Sequence, residues 1–264
     1  MRVQVETEGF SIVRHWSALR MAIQFLTAIP VAGEAELDKT TMGLSLLYYP
    51  VVGVLVGTLL VGLALVGQWV FSPLLAAVVV VTAWVLVTGA LHIDGLADCA
   101  DAWVGGFGSR ERTLELMKDP TSGPVAIAVV VMLLLLKVAL VAELLAQGLV
   151  YVWVFGLLVA PFLGRLSVLA LFLTTPYVRK LGLGEILAVY FPRRCGLVFC
   201  GVYVASMLLI EFHPGLIVIG SVALTIAFLR RLMLSRLGGC TGDTLGATVE
   251  MVEVVVLLVI AAVV

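Results

Sequence analysis

Charge is scarce in this chain. Asp, Glu, Lys and Arg make up 12% of its 264 residues, against 62% hydrophobic, and the mean hydropathy is +1.19. Soluble domains carry about 25% charged residues. A water-soluble core cannot hide this much apolar surface, so a soluble globule is excluded. A basic excess is missing as well: 16 basic residues face 17 acidic ones with no basic stripe, which argues against a nucleic-acid partner. The four cysteines, Cys99, Cys195, Cys200 and Cys240, form no Cys-x-x-Cys pair. They suggest neither a zinc site nor a redox motif and read as small packing residues in a reducing setting. The segment Met1–His15 is polar, with Glu6, Glu8 and Arg14, and does not read as a secretory leader, so the spans themselves direct insertion. No repeat, linker or low-complexity stretch is visible.

What is present is a series of long apolar runs. Seven cover about 42–66, 73–91, 124–142, 149–173, 195–211, 214–234 and 244–264, each near the ~20 residues that a crossing helix needs. The expectation is an all-α, polytopic membrane helical bundle of about seven transmembrane helices plus a short N-terminal helix, in one domain over 1–264. The segment 16–31 carries Arg20 and Gln24 and reads as an interfacial helix, a re-entrant piece or a short eighth span. Tyr48, Tyr49, Trp69, Trp84, Trp103 and Trp153 fit interface belts and packing.

Seven alternating spans put the connections 32–41, 92–123, 174–194 and 235–243 on one side. These connections and the adjoining helix ends hold Lys39, Arg110, Arg112, Lys118, Arg179, Lys180, Arg193, Arg194, Arg230, Arg231 and Arg236. The opposite connections hold no Lys or Arg. The positive-inside rule makes the first side cytoplasmic, in a multi-pass protein of the cell's inner membrane. A full crossing by 16–31 would turn Arg2 and Arg14 outward, which favours the interfacial reading.

The block His92-Ile-Asp-Gly-Leu-Ala-Asp-Cys-Ala-Asp101 lies on that side. Asp94, Asp98 and Asp101 are spaced by four and three, which puts three carboxylates on one helix face. Stacked like charges repel unless a cation sits among them. Mg²⁺ suits carboxylate oxygens and retains waters or phosphate oxygens. Gly95 allows close backbone approach. Arg110, Arg112 and Lys118 offer cations to phosphate, though each also fits ordinary positive-inside bias. Glu115 and Asp119 read equally as supporting partners or a soluble face. His92 suits a metal, a phosphate or a plain interface hydrogen bond.

A second block, Arg236-Leu-Gly-Gly-Cys-Thr-Gly-Asp-Thr-Leu-Gly-Ala-Thr-Val-Glu250, precedes and enters the last span. Gly238, Gly239, Thr241 and Gly242 form a backbone-exposed turn that can cradle phosphate with a helix N-terminus. Asp243 fits an N-cap or a metal ligand. Glu250 follows on the same face, about 10 Å into the span, and Glu253 lies a turn deeper. Carboxylates inside a membrane point to function. Arg165, eight residues inside its span, reaches the site or pairs with Glu250 or Glu253. Lys137 snorkels toward the far side, near Glu143. His15 and His213 carry no role.

These residues, with Leu114-Glu-Leu-Met-Lys-Asp119, Phe25-Leu-Thr-Ala-Ile-Pro-Val31 and Tyr49-Pro-Val-Val-Gly53, resemble the cobalamin synthase family, the adenosylcobinamide-GDP ribazoletransferases. The resemblance runs from about residue 16 to the C-terminus. It implies a Mg²⁺-dependent transfer joining adenosylcobinamide-GDP to α-ribazole, or to its 5′-phosphate, with release of GMP. The product would be adenosylcobalamin or its 5′-phosphate. The pattern carried over is Asp94, Asp98, Asp101, Lys118, Asp119 and Asp243, then Glu250. Asp94, Asp98 and Asp101 would hold metal, with Asp243 a further ligand or general base, while Arg110, Arg112, Lys118 and Arg165 would bind substrate. Ala102 stands where the family has Gly, and Thr121 where a basic residue is common. That phosphate contact would fall to another arginine, Arg193 or Arg194. A lipid bilayer is the implied surroundings, and a homo-oligomer is compatible with it.

Two rivals use the same residues differently. CDP-alcohol phosphotransferases also use spaced aspartates and Mg²⁺, but show Asp-Gly-x-x-Ala-Arg, and here Asp98 is followed by Cys99. A transporter would use Glu250, Arg165 and Lys137 as midplane charges, usually within an internal repeat.

Overall fold

Proline decides where three of the long helices begin. Pro50, Pro73 and Pro124 each lie in the first turn of a helix, where the missing N–H has no partner to lose. The computed structural model describes residues 12–31, 38–180, 182–210 and 212–263, without the side chains of 210 and 212–214. The stretch with Arg2, Glu6 and Glu8, and the side chain of His213, therefore lie outside the described residues.

The described chain is helical throughout, and all-α is correct. Helix α1 is Ile12–Leu26. Helix α2, Lys39–Ser45, continues through a 3₁₀ turn into α3, Tyr49–Val70. Then follow α4 (Pro73–Val87), α5 (Leu91–Gly105), α6 (Arg110–Leu116), α7 (Pro124–Ala146) and α8 (Val150–Thr174). The chain ends with α9 (Leu183–Tyr190), α10 (Arg193–Ile210), α11 (Phe212–Leu237) and α12 (Gly242–Val263). Five stretches are long and apolar enough to cross a membrane: Lys39–Val70, Pro124–Ala146, Val150–Thr174, Gly215–Leu237 and Gly242–Val263. Two bent pairs, α4 with α5 and α9 with α10, raise the count to seven if each supplies one span. That agrees with seven apolar runs.

α1 is not among the candidate spans. It buries Ala18, Met21, Ala22 and Leu26 and leaves Ile12, Val13 and Trp16 exposed, the division of an interfacial helix.

The run 73–91 differs from expectation. The helix stops at Val87, Gly89 and Ala90 adopt left-handed backbone (φ 58° and 56°), and α5 departs at 87° to α4. A left-handed residue ends an α-helix because its carbonyl no longer continues the ladder. α5 thus runs nearly perpendicular to α4. The stretch 92–123 is two helices rather than a loop.

The interior is centred on α8, whose most extensive neighbours are α3 and α12. With lipid outside, such helices gain by close packing rather than by escaping water. α12 also crosses α5. At that crossing a Cβ on Gly95 would stand 2.8 Å from the Asp243 carbonyl oxygen, so only glycine lets the two helices approach this closely.

Candidate active site

The crossing of α5 with the first turn of α12 brings the two sequence blocks together. The turn before α12 is held by backbone pairing with the strand-like stretch after α8. Cys240 N donates to Pro176 O (2.9 Å) and Val178 N to Cys240 O (3.0 Å). Gly238 takes a left-handed φ of 73°, and a Cβ on Gly239 would lie 2.2 Å from Pro176 O, so that turn needs glycine at both positions.

Capping of α12 falls to Thr241, which corrects the N-cap reading of Asp243. Thr244 N donates to Thr241 Oγ1 (3.2 Å), and Thr241 N donates to Thr244 Oγ1 (2.9 Å). Asp243 lies one residue inside the helix start and accepts from Arg179 Nη1 (2.9 Å to Oδ2). Its carboxylate is thus free of any capping duty.

Two cavities meet at Asp243. One, of about 210 Å³, is lined by Leu114, Met117, Lys118, Val178, Arg179, Lys180, Thr241 and Asp243, so three cations converge there. The other, of about 170 Å³, is lined mostly by apolar side chains, with Tyr49, His92, Asp94 and Asp243 as its charged or titratable members.

The three α5 aspartates have different surroundings. Asp94 is exposed and borders the apolar cavity. Asp98 is half-buried. Burial, followed by the charges of Asp94 and Asp243, pushes its carboxyl up to about 6, with Arg179 acting the other way. Asp101 accepts from Gly123 N and from Ala126 N (2.9 Å). It therefore caps α7 from a neighbouring helix, a structural duty the sequence did not show.

Carboxylate oxygens are the hard donors Mg²⁺ takes. Among the described residues no three His, Cys, Asp or Glu side chains converge closely enough to enclose a metal. The donor set fits an ion held by one or two carboxylates and completed by other oxygens and waters. Asp94 and Asp98 meet that description; Asp101 has both oxygens engaged.

Other expected site residues are placed as follows. Lys118 lines the cationic cavity. The Arg110 guanidinium lies over the Gly238 turn, which a Cβ would approach to 3.2 Å. Arg112 is paired with Glu115 on the surface (2.8 Å). Asp119 accepts from Thr121 Oγ1 (2.6 Å) and Thr121 N, and the hydroxyl bond first of all holds its carboxyl below the usual range. Gly242 is exposed at the start of α12.

Glu250 and Arg165 lie elsewhere. Lys137 Nζ donates to Glu250 (2.7 Å) and to Glu253, and Arg165 pairs with Glu253. Arg165 Nη2 also meets His92 Nδ1 at 3.3 Å, and Lys137 Nζ stands 4.5 Å over the Trp84 ring. Glu250, expected as a metal ligand, and Arg165, expected as a substrate contact or a partner of Glu250 or Glu253, are here engaged in ion pairs: two cations and two anions balance inside the bundle, where an unpaired charge would be costly. Lys137 does not snorkel toward Glu143; it is 3% exposed and turned inward.

Sequence reasoning passed over Arg179. Its only signal was the Arg179-Lys180 doublet after a span, indistinguishable from positive-inside bias. Arg193, named for the phosphate contact, instead reaches Leu173 O (3.4 Å), and Arg194 is exposed. Neither lines the cationic cavity.

The fold and site define an apolar, polytopic helical bundle with the carboxylates of Asp94, Asp98 and Asp243 beside a cationic cavity. The cobalamin-5-phosphate synthase family model matches residues 18–261. Curated relatives named adenosylcobinamide-GDP ribazoletransferase are 49% identical over 244 residues in Stutzerimonas stutzeri and 48% over 242 residues in Pseudomonas syringae pv. syringae. They cover 92% and 91% of this chain and 97% of each relative. The one from Pseudomonas putida KT2440 is 48% identical over 241 residues, covering 91% of this chain. No solved structure matches. The chain belongs to the cobalamin-5-phosphate synthase family, transferases of late cobalamin synthesis.

Proposed function

We propose that the chain joins adenosylcobinamide-GDP to α-ribazole or its 5′-phosphate, releasing GMP, at the cytoplasmic face of the cell's inner membrane. The observation that carries this is Asp243, which borders both a cationic and an apolar cavity and has no capping duty. A reaction between a diphosphate and a largely apolar acceptor calls for that pairing of surfaces. The name shared by the relatives supplies the two substrates.

The new bond joins the acceptor's ribose oxygen to the cobinamide-side phosphorus, and the bond from that phosphorus to the GMP oxygen breaks. Such displacements depend on positioning and charge neutralisation. Lys118, Arg179 and Lys180 bind the diphosphate oxygens. Asp94 and Asp98 would hold Mg²⁺, which supplies charge neutralisation at the phosphates. Asp243, oriented by Arg179, takes the proton of the attacking hydroxyl. The concentration of Lys and Arg on the site's side supports a cytoplasmic orientation.

The test uses the full chain in detergent or native membranes, with adenosylcobinamide-GDP and α-ribazole, with and without Mg²⁺. GMP and the joined corrinoid should form in equal amounts and only with Mg²⁺. Turnover of CDP-diacylglycerol instead would assign the site to phospholipid synthesis.

A further inference from the structure

The apolar cavity calls for an occupant of its own. Its volume of about 170 Å³ is comparable with the ~150 Å³ apolar cavity that accepts a benzene ring. It is far too small for a corrin macrocycle. Phe25 and Tyr49 are stacked at one side (centroids 6.2 Å apart), and Phe172 closes another. Val168 and Leu187, both buried, complete the wall.

Two buried polar side chains belong to its lining, His92 at 4% and Tyr49 at 3% exposure. Arg165 Nη2 lies 3.3 Å from His92 Nδ1. A guanidinium can only donate, so Nδ1 must accept, and the ring proton is then on Nε2. The tautomer is fixed by a residue deeper in the bundle, leaving Nε2–H as a donor. Asp94 and Asp243 border the same cavity, so a group extending from it emerges beside the reacting carboxylates.

We propose that this cavity between α1, α3, α5, α8, α9 and α12 binds the flat, weakly polar bicyclic base of the acceptor nucleoside, with His92 donating to its unsubstituted ring nitrogen. In α-ribazole that base is a dimethylbenzimidazole. The assignment rests on the transferase reaction proposed above. Guanine suits the cavity poorly: its N–H donors could reach only Asp94 and Asp243, which the proposed reaction uses for metal and hydroxyl, and its remaining polar atoms would lie against apolar walls. Seating the base here sends the ribose hydroxyl toward Asp94 and Asp243, while the donor's diphosphate occupies the cationic side.

The probe is 5,6-dimethylbenzimidazole alone, in equilibrium dialysis against the full chain without Mg²⁺. It should bind the wild type in competition with α-ribazole. Val168→Phe, which fills the cavity, and Leu187→Ala, which removes part of its wall, should each weaken binding about tenfold. Both should raise KM for α-ribazole in parallel, with KM for adenosylcobinamide-GDP within about twofold of wild type. Either variant suffices if the other does not fold. 5,6-Dimethylindole, which lacks the acceptor nitrogen, should bind about tenfold less tightly. Base binding unchanged in the folded variant would overturn the assignment and leave the cavity to a lipid chain. A rise confined to the donor's KM would overturn it in favour of guanine. Loss of the reaction reading itself would show differently, as absent GMP release by the wild type, and the dialysis would still decide the cavity.

Discussion

α12 carries two sets of acids within three turns, and they have opposite fates. At its start Asp243 has one cation, Arg179, while Asp94 and Asp98 crowd nearby. Deeper, Glu250 and Glu253 are matched by Lys137 and Arg165, with all four side chains buried. The deep set is neutralised by the protein and needs nothing further. The rim set instead borders a cavity that gathers Lys118, Arg179 and Lys180, of which Arg179 is the one paired with a rim acid among the described residues. Ion pairing within the protein, more than residue type or helical register, separates these two sets of acids.

Substitutions should sharpen that contrast, beginning with the largest effect. Asp94→Asn or Asp98→Asn should reduce turnover by about 10³-fold or more, a loss of about 4 kcal/mol in transition-state stabilisation, while thermal unfolding in detergent stays near wild type. Glu253→Gln should do the reverse. It strips Arg165 of its carboxylate and leaves Lys137 with Glu250 alone, and should lower stability by about 3–5 kcal/mol, read as a fall in Tm, with residual activity tracking the folded fraction. Arg179→Ala removes a charge-assisted contact worth about 1.5–3 kcal/mol, and steady-state kinetics should show it mainly as a raised KM for the diphosphate donor. Asp101→Asn should cost about 1 kcal/mol of stability, because the amide keeps one acceptor oxygen and turns its NH₂ toward a backbone N–H at the start of α7. Smallest of all, Asp98→Asn without metal should raise stability by about 0.3–0.5 kcal/mol, since it removes one like-charge neighbour a turn from Asp94. A destabilised Asp98→Asn would mean that the rim is already neutralised.

Much of this architecture could be read from the chain. Apolar run length located the spans, because a bilayer demands a continuous stretch of fixed size. The i, i+4, i+7 spacing placed Asp94, Asp98 and Asp101 on one helix, and the fold confirms a single helix there. The break at Gly89-Ala90 was hidden inside an unbroken apolar run, since one left-handed alanine has no compositional signature. Contacts between distant segments were equally invisible. Nothing in local spacing pairs Lys137 with Glu250, sends Asp101 across to cap α7, or brings Arg179 to Asp243 through the Tyr177–Cys240 bridge. Those follow from which helices neighbour each other, and periodicity is silent on that.

The most direct test of the rim's purpose is binding of Mn²⁺, a paramagnetic substitute for Mg²⁺, to the full chain in detergent, followed by electron paramagnetic resonance with and without pyrophosphate. Tight binding should require pyrophosphate and be lost in the Asp94→Asn/Asp98→Asn double variant, while Glu250→Gln, if folded, retains it. Equal binding in wild type and double variant would contradict the account.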